Sequence, residues 1–505
     1  MHISGKNRVG YTEPDAFAYT FRTFDPKQNR ENDFDIFGAT DADIEAAVQK
    51  AADTFLEFSN LPGKRRAEFL LRIAEKLLLE KESLISIYCL ESALPEGRAL
   101  IELKRTIHQL HEFAELISVE NWNFSSSEPA DPNRAGNPKP SLHKYFKALG
   151  PVVVFGASNF PFAYSTIGGD SASALAAGCP VIVKAHVMHA GTGNLVARLV
   201  SEAARETGMP DGIFSNLNAL GNEAGEKLVL HPKIKAVGFT GSFKGGMALY
   251  KLAQNRPEPI PVFAEMGSVN PVFLFEGAFQ QPGLVHRISQ SISLNAGQFC
   301  TNPGLIFLQK SEASGEFIAA LAKSLENLEP QSMLHPQILK NYTENASRLA
   351  ENKSIINLVE TNNKLENKVQ PLLRQTTAQD FLQNHTFQEE VFGSHTLIVV
   401  LDDKKEFLTV ARHLDGQLTL SIFAAENELQ ENIDFLRVCE QKAGRLIWNG
   451  VPTGVEVCRA MNHGGPFPAT TDARFTAVGK DAVYRFLRPL AYQNFSLEIL
   501  RKLIS

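Results

Sequence analysis

Residues 151–207, PVVVFGASNFPFAYSTIGGDSASALAAGCPVIVKAHVMHAGTGNLVARLVSEAARET, decide the fold. Two short apolar runs, 151–156 and 180–185, are rich in valine and isoleucine and bounded by Gly, Pro and Asn. Each leads into a stretch of helical composition, 167–177 and 191–207. Strand–helix alternation of this kind produces a parallel sheet with helices on both faces. The pattern continues outward: FSNL around Phe214 is a third strand, 234–241 a fourth, and 244–254 the helix after it. A second series of strands, 270–275, 305–309, 396–400 and 420–424, predicts a second α/β domain. Ligands of such sheets sit where strands end and turns run into helices.

Upstream, residues 40–120 carry a helical period. Thr40 and Asp41 offer a cap before Ile44, Ala47, Val48, Ala51 and Phe55, which form one apolar stripe. Two more amphipathic helices are expected at 65–79 and 98–117. The run NFSSSEPADPNRAGNPKPS, 123–141, breaks the pattern and is read as a linker or extended arm. The tail from about 480 to 505 is amphipathic and suited to packing on a partner subunit.

Composition bounds the function. The chain has 505 residues, 44% hydrophobic and 21% charged, enough for several cores, which excludes disorder and collagen. The formal charge of −6 leaves no positive excess for nucleic-acid backbones. Five cysteines, widely spaced and without a CxxC, argue against a disulfide framework or a cysteine-based metal site and point to a cytoplasmic protein. The uncharged run 148–169 is interrupted by Pro151, Asn159 and Pro161, so it reads as strand, turn and helix start rather than a membrane span.

Several residues are placed for chemistry. Cys300, in NAGQFCTNPG, lies in a glycine-bearing turn, where a thiolate can meet a ligand; a buried inert cysteine is the plainer alternative. Glu265, in PVFAEMG, stands between an apolar strand and a glycine turn, where burial would raise its pKa toward general-base range; an ion-paired strand end is the competing reading. Asn159 follows the first strand and can donate to an oxyanion, or simply shape the turn before Pro161. Lys184 ends the strand 180–185, facing a ribose or phosphate or merely snorkelling. In GFTGSFKGG, 238–246, Gly241 and Gly246 would let backbone N–H groups face a pyrophosphate, although tight packing explains them equally well. No GxGxxG and no P-loop occurs.

Taken together, the segments resemble the NAD(P)-dependent aldehyde dehydrogenase superfamily, in that family's order: SNFP at Asn159, PVIVK at Lys184, FTGS at Ser242, EMG at Glu265, GQFC at Cys300, EEVFG at Glu389 and WNGVPTG near Asn449. The resemblance implies a Rossmann-like cofactor domain (1–124 and 148–264), an α/β catalytic domain (265–470), and an oligomerisation arm and tail (125–147 and 471–505). It implies Cys300 as nucleophile, Asn159 and the Cys300 N–H as oxyanion donors, and Glu265 as the base that activates water. Lys184 would bind the adenosine ribose, Ser242 the pyrophosphate, and Glu390 and Phe392 the nicotinamide ribose and ring. No metal is needed, and no ligand cluster for one is apparent.

Residues 154–192, VPTGVEV and HGGPFPATTDARFTAVG are similar to 2-oxoglutarate semialdehyde dehydrogenases, and in part to fatty aldehyde dehydrogenases. A carboxylate-bearing aldehyde calls for a cation; Arg459 and Arg474 lie in suitable late segments, with His463 and Phe160 as further substrate candidates. Val187 stands where NAD-preferring members often carry Glu, which favours NADP without excluding NAD. A homodimer or homotetramer is expected. Two other readings remain at this level: a cofactor-independent cysteine esterase or thioesterase, and a non-catalytic relative. The first leaves Lys184 and Glu390 without a purpose; the second does not account for Cys300, Glu265 and Asn159 together.

Overall fold

The computed structural model describes residues 3–360 and 366–504. A six-stranded sheet has the order Arg8–Val9, Phe214–Leu217, Val181–Lys184, Val152–Phe155, Ala236–Thr240, Val262–Glu265, parallel except for the first strand. The chain adds strands outward from Val152–Phe155 on one side, then returns to add two on the other. That reversal places a crevice at the carboxyl ends beside this central strand. Register holds those ends level: Phe155 lies opposite both Lys184 and Phe239, and Thr240 opposite Glu265.

Alternation explains why the strands read as continuous apolar runs. Val152, Val154, Val181 and Val183 face one core, and Val153, Ile182 and Val237 face the other. Both faces are covered, so successive side chains are all apolar. The helices Gly63–Leu79 and Glu96–Ser118 pack together over the first face. Thr40 caps Asp41–Ser59 reciprocally with Asp43. The helix Lys81–Ser92 lies within the stretch of helical period without having been singled out; Glu91, buried in it, accepts from the Gly191 and Thr192 amides and so contributes a polar residue to the buried face, obscuring the period.

The second sheet has seven strands, ordered Ile356–Val359, Leu372–Thr377, His395–Leu401, Leu305–Gln309, Val272–Leu274, Gln417–Phe423, Ala443–Trp448. Three of these exceed the sequence expectation. Leu372–Thr377 hides because Arg374 and Thr376 are buried polar residues, Arg374 donating to Asn357 and to the Ala346 carbonyl.

The segment read as a linker is partly strand. Leu142–Ala148 is the central strand of a three-stranded sheet, pairing with Leu487–Gln493 on one side and on the other with Phe124–Glu128, which is wholly exposed. Residues 471–486 are not part of it: Thr471 bonds the Val262 carbonyl, and Arg485 forms a buried 2.7 Å pair with Asp170 on the helix Gly169–Ala177. Among the described residues, no helix is long and apolar enough to cross a membrane.

Candidate active site

Cys300 is presented by a strained turn. Asn295, Ala296 and Gly297 all have left-handed backbone, with φ of 50°, 56° and 66°. Side chains at Asn295 and Ala296 tolerate that region only where surrounding contacts fix it. The fixing contacts are visible: Gln331 accepts from the Ala296 amide, and a Cβ on Gly297 would fall 2.4 Å from the Ser394 nitrogen. The Asn270 amide donates to the Cys300 carbonyl at 2.8 Å and to that of Asn302 at 3.0 Å. The thiol is therefore held from three directions on a half-buried turn.

Two distant residues complete the cluster. His463 Nε2 lies 3.7 Å from the Cys300 sulfur and 3.0 Å from Glu265 Oε1. The ligand atoms of Cys300, His463 and Glu265 all fall within 4.8 Å of one another. Neither oxygen of the buried Glu265 has a well-directed hydrogen-bond partner. Burial, reinforced by the Glu265 carboxylate, pushes the Cys300 thiol well above the ordinary cysteine range, while Arg105 opposes this. Cys179 and Cys439 are also pushed up, to about 11 and about 12, by burial alone in the first place. What separates Cys300 from them is its paired acid–base neighbours.

Asn159 is buried and donates to the carbonyl of Gln298, two residues before Cys300, at 3.0 Å. One N–H of its amide remains for a further acceptor. The Cys300 N–H donates to no acceptor among the described residues. Phe160, Tyr164, Phe299 and Val457 form an apolar wall.

The carboxyl edge of the first sheet carries Lys184, Val187 and Ser242, and the loop ahead of the second-sheet strand His395–Leu401 carries Glu390 and Phe392. Lys184 is largely buried and has no ion-pair partner among the described residues, and burial pulls its amine down to about 8. Val187 begins the single turn Val187–His189 just beyond. Ser242 caps the helix Phe243–Gln254, its hydroxyl accepting from the Gly245 amide. Glu390 and Phe392 line a cavity with Gly297 and Phe299. Burial pushes the Glu390 carboxyl up to about 8. A Cβ on Gly267 would lie 2.4 Å from its Oε2, so a larger residue there would require the Glu390 side chain to shift. An unpartnered lysine and a capped helix start on this edge, and a carboxyl group in a lined cavity ahead of the second sheet, fit a dinucleotide.

Three expectations need correction. The Gly241 amide donates to the Glu265 carbonyl and the Gly246 amide to that of Ser242, so neither is free for a phosphate. Gly246 instead permits close packing, since a Cβ there would lie 2.7 Å from Met266. Arg459 and Arg474 are exposed and pair with Asp481 and Asp472 at the surface. His463, a substrate candidate from the sequence, touches the thiol and the carboxylate. A cluster able to ligate a metal does exist, in Glu265, Cys300 and His463. Separations of 35 and 163 residues hid it. Missed altogether were Arg105 and Arg445, half-buried near the sulfur; a lone arginine on a helix or strand gives no signal in sequence.

The aldehyde dehydrogenase family model matches residues 11–466. An alpha-ketoglutaric semialdehyde dehydrogenase of Azospirillum brasilense is 42% identical over 504 residues, spanning 99% of this chain and 96% of that protein. Another, of Acinetobacter baylyi, is 40% identical over 503 residues, spanning 98% and 95%. Among solved structures, a variant betaine aldehyde dehydrogenase of Staphylococcus aureus in complex with NAD+ has a TM-score of 0.82 at 19% identity, covering 98% of both chains.

Proposed function

The chain belongs to the aldehyde dehydrogenase family, NAD(P)-dependent oxidoreductases acting on aldehydes, and from that premise we propose that its substrate is 2-oxoglutarate semialdehyde (2,5-dioxopentanoate), oxidised to 2-oxoglutarate. The observation that carries the mechanism is the convergence of Cys300, His463 and Glu265 within 4.8 Å. The two semialdehyde dehydrogenases at 40% and 42% identity support the choice of substrate.

The Cys300 thiol passes its proton to the His463–Glu265 pair, and the sulfur attacks the aldehyde carbon. The Asn159 amide and the Cys300 N–H stabilise the resulting oxyanion, each donor worth about 2.7–4 kcal/mol. When bound, the dinucleotide supplies the two-electron acceptor that converts this thiohemiacetal to a thioester. Glu265 then takes a proton from water, the hydroxide attacks the thioester carbon, and the acid departs as the sulfur regains a proton.

Lys184, Ser242, Glu390 and Phe392 are the residues proposed to hold the dinucleotide. Acceptance of NADP follows from Val187, which offers no carboxylate to repel a 2′-phosphate. The three-stranded arm and the C-terminal helix Leu497–Ile504, whose Leu497, Ile499 and Leu503 are exposed, support a homodimer or homotetramer. The discriminating experiment compares kcat/KM for 2-oxoglutarate semialdehyde, succinate semialdehyde and a long-chain aldehyde. Preference for the first supports the assignment. Preference for the fatty substrate overturns the choice of substrate and leaves the reaction type intact.

A further inference from the structure

With Arg459 and Arg474 engaged at the surface, the cation for an acidic substrate must be sought elsewhere. Two guanidiniums stand near the sulfur from opposite parts of the fold. Arg105 is on the helix Glu96–Ser118, and Arg445 is on the edge strand Ala443–Trp448 of the second sheet. Arg105 Nη2 donates to the Tyr164 hydroxyl at 2.9 Å, and the Tyr164 ring lies 6.0 Å from that of His463. Arg445 reaches Met461, which packs against the apolar wall of Phe160, Tyr164 and Phe299. Both guanidiniums are close enough to the Cys300 sulfur to interact with it electrostatically.

Neither has a counter-ion. Among the described residues, no carboxylate lies within ion-pair distance of Arg105 or Arg445, whereas the exposed arginines nearby are paired. Glu102, one turn before Arg105, is already engaged by Tyr88, Arg98 and the Phe162 and Ala163 amides. Each Nε is buried without a partner. Arg445 binds only the neutral carbonyls of Pro452 and Gly454 besides Met461. A guanidinium withdrawn from water without an anion is costly, and an arriving carboxylate offsets that cost.

We propose that Arg105 and Arg445 form the subsite that receives the carboxylate of an aldehyde acid while its aldehyde carbon lies at Cys300. This rests on the reading of the substrate as an acid-bearing aldehyde and names the residues that select it. The planar donor fork of arginine suits a carboxylate, and the aromatic wall accommodates the short carbon chain between the two ends.

The test compares 5-oxopentanoate with pentanal, which share a chain length and differ in the terminal carboxylate. The expected result is a wild-type kcat/KM ratio strongly favouring the acid. That ratio falls roughly 10- to 100-fold in Arg445→Met and in Arg105→Met, the range of one lost charged hydrogen bond. The loss appears chiefly in KM, and Arg445→Lys and Arg105→Lys, which keep the charge, recover part of it. Weaker competitive inhibition by glutarate in the Met variants gives the same result without turnover. A ratio unchanged in both Met variants, with the wild-type preference intact, overturns the subsite and leaves the substrate reading standing. A wild-type enzyme that does not prefer the acid overturns the substrate reading, and the subsite with it.

Discussion

The two large sheets meet the cleft with opposite ends. In the first, Asn159, Lys184, Ser242 and Glu265 stand at or just beyond the carboxyl ends of their strands. In the second, Asn270, Cys300 and Glu390 stand just before the amino ends of theirs, ahead of Val272, Leu305 and His395. Strand–turn–helix edges present free amides and helix starts by virtue of topology alone, so they suit an anion whatever the side chains are. An edge of loops feeding into strands supplies nothing of that kind. There the thiol has to be held by particular contacts: Asn270 on the Cys300 carbonyl, Gly297 against Ser394, and His463 brought in from far along the chain.

The comparison predicts that damage to the cluster gathered at the thiol, which Glu265 joins from the carboxyl-end side, is the more severe. Cys300→Ala should abolish formation of reduced cofactor, a loss on the order of 10⁴-fold or more in kcat, with binding of the dinucleotide retained. Absorbance of the reduced cofactor and a separate binding titration check the two halves. Substantial residual turnover would remove the sulfur from the mechanism.

Glu265→Gln comes next. A burst of reduced cofactor should persist while steady turnover falls by about 10²- to 10⁴-fold, the range of general-base contributions. The same variant tests the electrostatics. The Glu265 charge helps to hold the Cys300 thiol high. Removing it should lower the thiol pKa, so the pH profile of alkylation by iodoacetamide moves to lower pH. A profile moving upward would contradict the assigned sign.

The unequal legibility of the two edges has the same origin. The first sheet was readable because Val152–Phe155 and Val181–Lys184 are buried on both faces and therefore unbroken in hydropathy. Its candidate residues follow those strands within a few positions. On the second sheet, the strand Leu372–Thr377 was missed because Arg374 is buried in it, and the strands Phe124–Glu128 and Leu142–Ala148 because an exposed arm has no core face to write a period. Cys300, Glu265 and Asn159 were named through family likeness and local turns. Their meeting with His463 was not legible, since no local rule links residues 163 positions apart. Gly241 and Gly246 erred the other way: a turn that looks built for phosphate has both amides engaged by protein carbonyls.

Asn270 tests the clamp itself. Its side chain bonds the Cys300, Asn302 and Ser268 carbonyls and accepts from Thr419, and its φ of 43° is one that asparagine adopts at lower cost than alanine. Asn270→Ala should cost roughly 1–3 kcal/mol for each buried partner left unpaired. A loosened thiol turn should lower kcat by about 10²-fold, the effect of misplacing a reacting group by about 1 Å. A thermal melt and single-turnover kinetics measure the two effects. A destabilised enzyme with full single-turnover rate would mean that the turn holds itself.

The smallest effect should come from the carboxyl-end side, where binding is shared among several groups. Burial brings the Lys184 amine down to about 8, without a carboxylate to restore it. Burial penalises the charged form, so the ammonium predominates below about 8 and is lost as pH rises through that value. If the ammonium meets the cofactor, affinity should be highest below pH 8 and weaken by about tenfold toward pH 9 and above, a tenfold change being about 1.4 kcal/mol. The fall should be steeper for NADP than for NAD, because the 2′-phosphate adds charge beside the same amine. Binding must also pull the lysine pKa up, so calorimetry in buffers of different ionisation enthalpy should register proton uptake near pH 8. Lys184→Met should flatten both the pH dependence and the proton uptake. A wild-type affinity that rises with pH, or proton release on binding, would place the cofactor away from this lysine. The carboxyl-end side of the contrast would then rest on Ser242 alone.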